Sequence, residues 1–340
     1  MLSSILKRII LIIIDILISW YIWEVNVSFG NPCYTSAFSK CFTLSVTTFL
    51  IIYVPFEIYW SFRDLWFDRW KNITLKDLNV SKISIEVSEG SLSANLIRNR
   101  DESKIAMKNS IIIICHGFSD TKETLQYLYL PFAYQGYVVL AYDARGTGKS
   151  KKTGKRSDFL KRIEDLRYII EWVKYHEEFS NKKIYCIGFS IGAITVLSAG
   201  SINREIDKII AISSISHYKQ NIHKYNPVIL LSYIIKGVKL FPSIEENIQL
   251  SPYLSLKKLK DELSLEDWNL FSKKIMLIHC KNDRIIKFKN FKENRLILES
   301  PKKNLVILKK GGHSQKKNEC ILVGACLNFL KSGNQGTNIN

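Results

Sequence analysis

A serine, an aspartate and a histidine, each held in a motif and met in that order, could together carry out acyl transfer. Ser190 sits in Gly188-Phe189-Ser190-Ile191-Gly192, directly after the apolar stretch Ile184–Ile187. Such a stretch reads as a buried strand turning sharply into a helix. Gly188 and Gly192 are required there because a side chain would collide with the neighbouring strand and helix. A Gly-flanked serine alone is an ordinary turn, so the motif needs partners. A hydroxyl is a poor nucleophile at neutral pH. It needs a base, an acid that orients the base, and donors for the developing oxyanion.

Each partner has a candidate. His313, in Lys310-Gly311-Gly312-His313, is the candidate base. Of the six histidines, His176, His217 and His223 fall in helical or insertion segments, and His116 and His279 stand at strand ends, where structural hydrogen bonding is expected. Asp283, in His279-Cys280-Lys281-Asn282-Asp283, is the candidate acid. An aspartate after a strand is usually a turn residue. Its place between Ser190 and His313 gives the order Ser…Asp…His. Its role would be to fix the imidazole tautomer and stabilise the imidazolium. The backbone N–H groups of Ile191 and of Phe118, the latter in His116-Gly117-Phe118-Ser119-Asp120, would form the oxyanion hole.

The elements that must hold these groups follow from periodicity. Lys82–Val87 and Ser91–Ile97 alternate around Glu89-Gly90, a hairpin pattern. Further strands are expected over Ile111–Cys115, Tyr137–Ala141, the elbow strand, Lys208–Ile212, Lys274–His279 and Asn304–Leu308, with helices between them. Asp158 can cap the helix carrying Phe159, Ile163, Leu166, Ile170 and Val173. Alternation of strand and helix implies a mostly parallel sheet covered on both faces, with active groups at strand carboxyl ends. Residues 217–272 form a helical insertion, whose Pro227–Phe241 run is strongly apolar and could wall an acyl pocket.

HGFSD, YDARGTGKS, GFSIG, HCKND and GGH, in this order, resemble the α/β-hydrolase superfamily. The esterase, lipase and serine-aminopeptidase-like branch, with its membrane-tethered members, is the nearest. The resemblance covers roughly residues 80–331. It implies an α/β-hydrolase fold with an eight-stranded, mostly parallel sheet, a small helical cap, and Ser190, Asp283 and His313 as the triad. Cys280 departs from the pattern, which usually has Gly after the His. The Arg145–Ser150 segment invites a phosphate-loop reading but lacks Gly at Asp143 and a helix starting at Lys149. The same loop carries Lys149, Lys151, Lys152, Lys155 and Arg156, which could attract anionic headgroups or acidic substrates, or be a solvated basic loop.

Ahead of this domain, residues 1–61 read as a membrane hairpin. Apolar runs over about 9–25 and 42–60 are each near bilayer-spanning length, with Trp20, Trp23, Tyr59 and Trp60 as interface anchors. A cleaved signal peptide is the rival for the first run, but no small-x-small site follows it. Lys7 and Arg8 before the first run, and Arg63, Arg69, Lys71 and Lys76 after the second, place both ends and the catalytic domain in the cytoplasm by the positive-inside rule. Sequons at Asn26, Asn72 and Asn79 pull weakly the other way, and Cys33 and Cys41 would lie in the outer loop. Asp15, within the first run, is expected to snorkel or to face the hairpin, with a proton path as the functional alternative. Residues 62–80 read as an interfacial linker and 332–340 as a disordered tail.

The net charge of +18 is spread along the chain rather than gathered, so no nucleic-acid footprint stands out. No Cys/His ligand cluster occurs; no metal and no cofactor are expected. Cys115, Cys186, Cys280, Cys320 and Cys326 lie in apolar segments and read as buried thiols. These features make a membrane-anchored serine hydrolase of lipid-like carboxylic esters the first expectation. A serine peptidase of the same fold and an inactive membrane scaffold compete with it.

Overall fold

Four consecutive isoleucines, Ile111–Ile114, are fully buried and lie in a central strand of the sheet. A strand buried on both faces has no polar alternation, which is what helices on both sides of a parallel sheet require. The computed structural model describes residues 4–28, 35–67, 75–222, 233–235 and 237–332. It divides the chain into two compact units, Met1–Lys71 and Asn72–Asn340.

The first unit holds α1 (Ser4–Ser28) and α2 (Thr35–Phe67), which pack on one another. Ser45 Oγ donates to the Ser19 carbonyl at 3.1 Å across the pair. Asp15 is buried, while Ile13, Ile14 and Leu17 are exposed. Among the described residues one segment, Phe42–Tyr59, is long and apolar enough to cross a membrane. The expected interfacial stretch after Trp60 is helical as far as Phe67; residues 68–74, Cys33 and the tail from 333 lie outside the described residues.

The second unit opens with a hairpin, β1 (Leu78–Val87) and β2 (Gly90–Asn99). β1 starts four residues before the expected Lys82, because Leu78 already pairs with Asn99. α3 (Glu102–Lys108) was not legible in the periodicity; its seven residues are too few, and the Asp101 side chain caps it by accepting from Ser103 N. Then follow β3 (Ser110–Cys115), α4 (Gln126–Tyr134), β4 (Val138–Tyr142), α5 (Phe159–Tyr175), β5 (Lys183–Phe189), α6 (Ile191–Ile202) and β6 (Ile206–Ile212). The insertion after β6 contributes α7 (Tyr218–Ile222), α8 (Ile244–Leu250), α9 (Pro252–Glu262) and α10 (Leu265–Lys273); within its apolar run, residues 227–232 and 236 lie outside the described residues. β7 (Ile275–Cys280), α11 (Lys289–Leu298), β8 (Leu305–Leu308) and α12 (Glu319–Lys331) complete the unit.

The eight strands form one sheet in the order β1-β2-β4-β3-β5-β6-β7-β8. β1–β2 and β2–β4 are antiparallel and every other pairing is parallel, as expected of the α/β-hydrolase fold. Parallel strands send all their carboxyl ends to one edge, so the loops after β3, β4, β5, β6, β7 and β8 converge there. Four of the five cysteines expected to be buried are so; Cys320 is exposed, because it sits in the first turn of α12 on the face away from Leu322 and Cys326.

Candidate active site

Ser190 occupies a backbone conformation that only a locked turn sustains, with φ 55° and ψ −116°. Two features lock it. Ser190 N donates to the Ile212 carbonyl of β6 at 2.9 Å. The glycines let the turn close: a Cβ on Gly188 would lie 2.2 Å from Gly192 O, and one on Gly192 would lie 1.9 Å from Cys115 O. The serine therefore stands at the N-terminus of α6 with its side chain above the sheet edge.

The structure brings Ser190, His313 and Asp283 together. Ser190 Oγ donates to His313 Nε2 at 3.0 Å, and His313 Nδ1 donates to Asp283 Oδ2 at 2.8 Å. Asp283 is buried; its other oxygen, Oδ1, accepts from Ile285 N and Ile286 N, both at 2.9 Å. The carboxylate thus has fixed acceptor duties on both sides, and the imidazole is held as the Nδ1–H tautomer, leaving Nε2 to face the hydroxyl. The Phe189 ring packs against the imidazole with centroids 5.1 Å apart.

Ile191 follows the elbow serine directly, and Phe118 follows Gly117 in the loop after β3. The Ile191 amide is the first of α6 and has no acceptor within the helix. The loop after β3 touches the elbow, since a Cβ on Gly117 would lie 3.4 Å from Ser190 Cβ. Phe118 is half-buried, edge-on to Phe159 at 5.6 Å.

Buried polar pairs that motif reading did not identify brace these loops. His116 donates from Nδ1 to Gly117 O at 2.7 Å and accepts at Nε2 from Ala144 N at 2.9 Å, tying the loop after β3 to the loop after β4. Burial pushes its pKa down to about 3, so it stays neutral. Lys122 is buried against the Asp143 carboxylate, which also accepts from Lys122 N and Lys149 N. Arg145 meets Asp165 with two bonds, at 2.8 and 2.5 Å. The Arg145–Ser150 segment is accordingly a braced turn; its Gly148–Ser150 is a single helical turn.

Asn282, beside the candidate acid, has a bracing role that its motif does not announce. Its Oδ1 accepts from Gly312 N at 2.9 Å and from the Cys280 thiol at 2.8 Å, so it pins the histidine loop to the acid's turn. Cys280, the departure from the expected Gly, fits because its thiol points into that bond. His279 donates to Ile286 O at 2.8 Å and is kept neutral by burial, the structural role expected of it. Among the described residues no group of three or more metal-binding side chains occurs.

Residues 106–264 match the family model described as Serine aminopeptidase, S33. That segment, just under half of the chain, includes Ser190 and ends before Asp283. An uncharacterized 31.7 kDa protein of Escherichia coli, from the traX-finO intergenic region, is 28% identical over 106 residues, 31% of this chain and 37% of its own length. The match therefore spans well under half of that relative. The Pyrococcus furiosus esterase Pf2001 is similar in structure, with a TM-score of 0.56, 21% identity, and coverage of 77% of this chain and 96% of that one. The acylaminoacyl peptidase of Pyrococcus horikoshii also has a TM-score of 0.56, with 17% identity, over 82% of this chain and 44% of that one.

Proposed function

On the premise that the chain is an α/β-hydrolase by fold, we propose that it is a membrane-anchored serine hydrolase cleaving carboxylic esters, lipid-like acyl esters foremost, through an acyl-enzyme on Ser190. The observation that carries this reading is the unbroken hydrogen-bond chain from Ser190 Oγ through His313 to Asp283.

Ser190 Oγ attacks the ester carbonyl while His313 Nε2 takes its proton. Asp283 holds the ring and stabilises the imidazolium. The Ile191 and Phe118 amides receive the oxyanion; one such donor typically contributes about 2.7–4 kcal/mol to barrier lowering. His313 then returns the proton to the departing alkoxide, freeing the alcohol. Water, deprotonated by the same nitrogen, releases the acid and regenerates Ser190. No cofactor enters this scheme.

An acyl substrate is supported by the apolar helical insertion 217–272, read as a cap over the acyl pocket, and by the anchor. The anchor rests on the apolar Phe42–Tyr59 segment and the apolar α1 packed against α2. The flanking cations favour a cytoplasmic catalytic unit. The description of the matched family model favours a second reading, a serine peptidase of the same fold.

Fluorophosphonate labelling of wild type and Ser190→Ala, followed by a panel of esters, monoacylglycerols and peptide amides, tests these readings. Ser190-dependent labelling with ester turnover is expected. Absence of labelling in folded protein would leave an inactive scaffold, and turnover of amides without esters would establish the peptidase. Resistance to alkaline carbonate extraction tests the anchor.

A further inference from the structure

Two exposed segments of the catalytic unit, one basic and one apolar, meet on its surface. The basic one is the loop after β4. Lys149, Lys151, Lys152, Lys155 and Arg156 are all exposed, and among the described residues none has an ion-pair partner. Other cations nearby are neutralised: Lys161 pairs with Glu89 and Glu164, and Lys239 pairs with Glu246. The loop is not slack. Thr153 Oγ1 donates to Ser91 O at 2.5 Å, Ser93 N donates to Ser150 Oγ at 2.9 Å, and Gly146 N donates to Ser150 O at 3.0 Å. Its cations are therefore presented from a fixed base.

The apolar segment belongs to the insertion. Ile234, Ile235, Phe241 and Ile244 are 55%, 76%, 76% and 84% exposed. Four large apolar side chains presented within eleven residues are costly in water and mark an interaction surface. The two segments adjoin. A Cβ on Gly237 would lie 3.4 Å from Ser157 Oγ, and one cavity of about 650 Å³ has Lys155, Ser157, Gly237 and Lys239 in its wall. A cationic rim beside exposed aliphatic and aromatic side chains suits a surface that is anionic outside and hydrocarbon beneath. We propose that the loop 149–156 and residues 234–235 and 237–244 form one docking face for an anionic lipid bilayer, with the cations on phosphate headgroups and Ile234, Ile235, Phe241 and Ile244 in the interfacial layer.

This inference rests on residues of the catalytic unit and does not require the anchor or the Ser190 chemistry. Each basic residue near an anionic membrane contributes about fivefold to partition. Reversing two of the five should weaken lipid engagement by at least about twenty-five-fold. Full-length protein is placed in phosphatidylcholine nanodiscs with or without roughly 30% phosphatidylglycerol, and amide hydrogen exchange is followed by mass spectrometry. Anionic lipid should slow exchange in peptides covering both 149–156 and 234–244 while leaving the α12 peptide unchanged. Lys151→Glu with Lys152→Glu should abolish that slowing, and Phe241→Ser with Ile244→Ser should remove it from the apolar segment. Equal exchange in the two kinds of disc, or slowing that survives charge reversal, would overturn the proposal. Failure to copurify with neutral discs would count against the anchor alone; flotation with anionic but not neutral vesicles then reads the docking face directly. Fluorophosphonate labelling of the charge-reversed variant, and an unchanged thermal unfolding midpoint for the apolar-segment variant, show that each is folded.

Discussion

Replacing Asp283 separates the two duties of its carboxylate. In Asp283→Asn the carboxamide oxygen can take the place of Oδ1 and keep both turn bonds, from Ile285 N and Ile286 N. The NH2 then faces His313 Nδ1, which must become an acceptor, so the ring proton moves to Nε2, where Ser190 needs a base. Recovering the working tautomer sets two donors against each other in a buried place. Each unpaired buried donor costs about 1–3 kcal/mol, so the penalty is about 2–6 kcal/mol. Losing the carboxylate charge beside the imidazolium adds to it. The expected fall in kcat/KM is about 10³–10⁴-fold, with little change in stability. Asp283→Ala also orphans the Ile285 and Ile286 amides and should lower Tm by roughly 5–15 °C. The assay pairs initial rates on a short-chain p-nitrophenyl ester with thermal unfolding followed by near-ultraviolet circular dichroism. An asparagine variant within about tenfold of wild type, or one as destabilised as the alanine variant, would refute this account of the site.

Three further outcomes are expected. Gly192→Ala forces a Cβ to within 1.9 Å of a backbone oxygen and should cost about 3 kcal/mol or more in chemical denaturation, with loss of fluorophosphonate labelling. Folding holds His116 at a pKa of about 3 against an ordinary 6.5, so below about pH 6.5 only the unfolded chain takes up that proton. Stability should therefore fall as pH drops from about 6.5 towards 3, and His116→Gln should flatten the slope of denaturation midpoint against pH by up to one proton. Peptide mapping after maleimide treatment of native protein should find Cys320 modified while Cys115, Cys186, Cys280 and Cys326 react only after unfolding.

The strand-and-helix frame was legible because its signals are local. Ile111–Ile114 announce a strand buried on both faces, Asp158 announces a helix start, and Gly188 and Gly192 announce a turn that tolerates no side chain. Chain order, strand-end position and the Gly-led loop of His313 together pointed to Asp283 and His313 as partners for Ser190. The bracing interactions were not legible, since His116 with Ala144, Lys122 with Asp143, Arg145 with Asp165 and Asn282 with Gly312 join residues that share no periodic pattern. Short α3 escaped because seven residues make too weak a period. Cys320 misled for a related reason: apolar neighbours on a helix specify a face, and one residue's rotation about the axis decides between core and solvent.

His313 and Ser190 are 123 residues apart in the chain, and the histidine is the last of the three groups to be synthesised. During translation the elbow, β6 and the whole insertion leave the ribosome before the base does. A nascent chain that has already placed Ser190 therefore has a hydroxyl with nothing to take its proton. β8 pairs with β7, and the loop that follows β8 carries His313 to Asp283. On the proposed function, hydrolytic competence waits for the loop after β8, and a chain truncated before it lacks the proposed base.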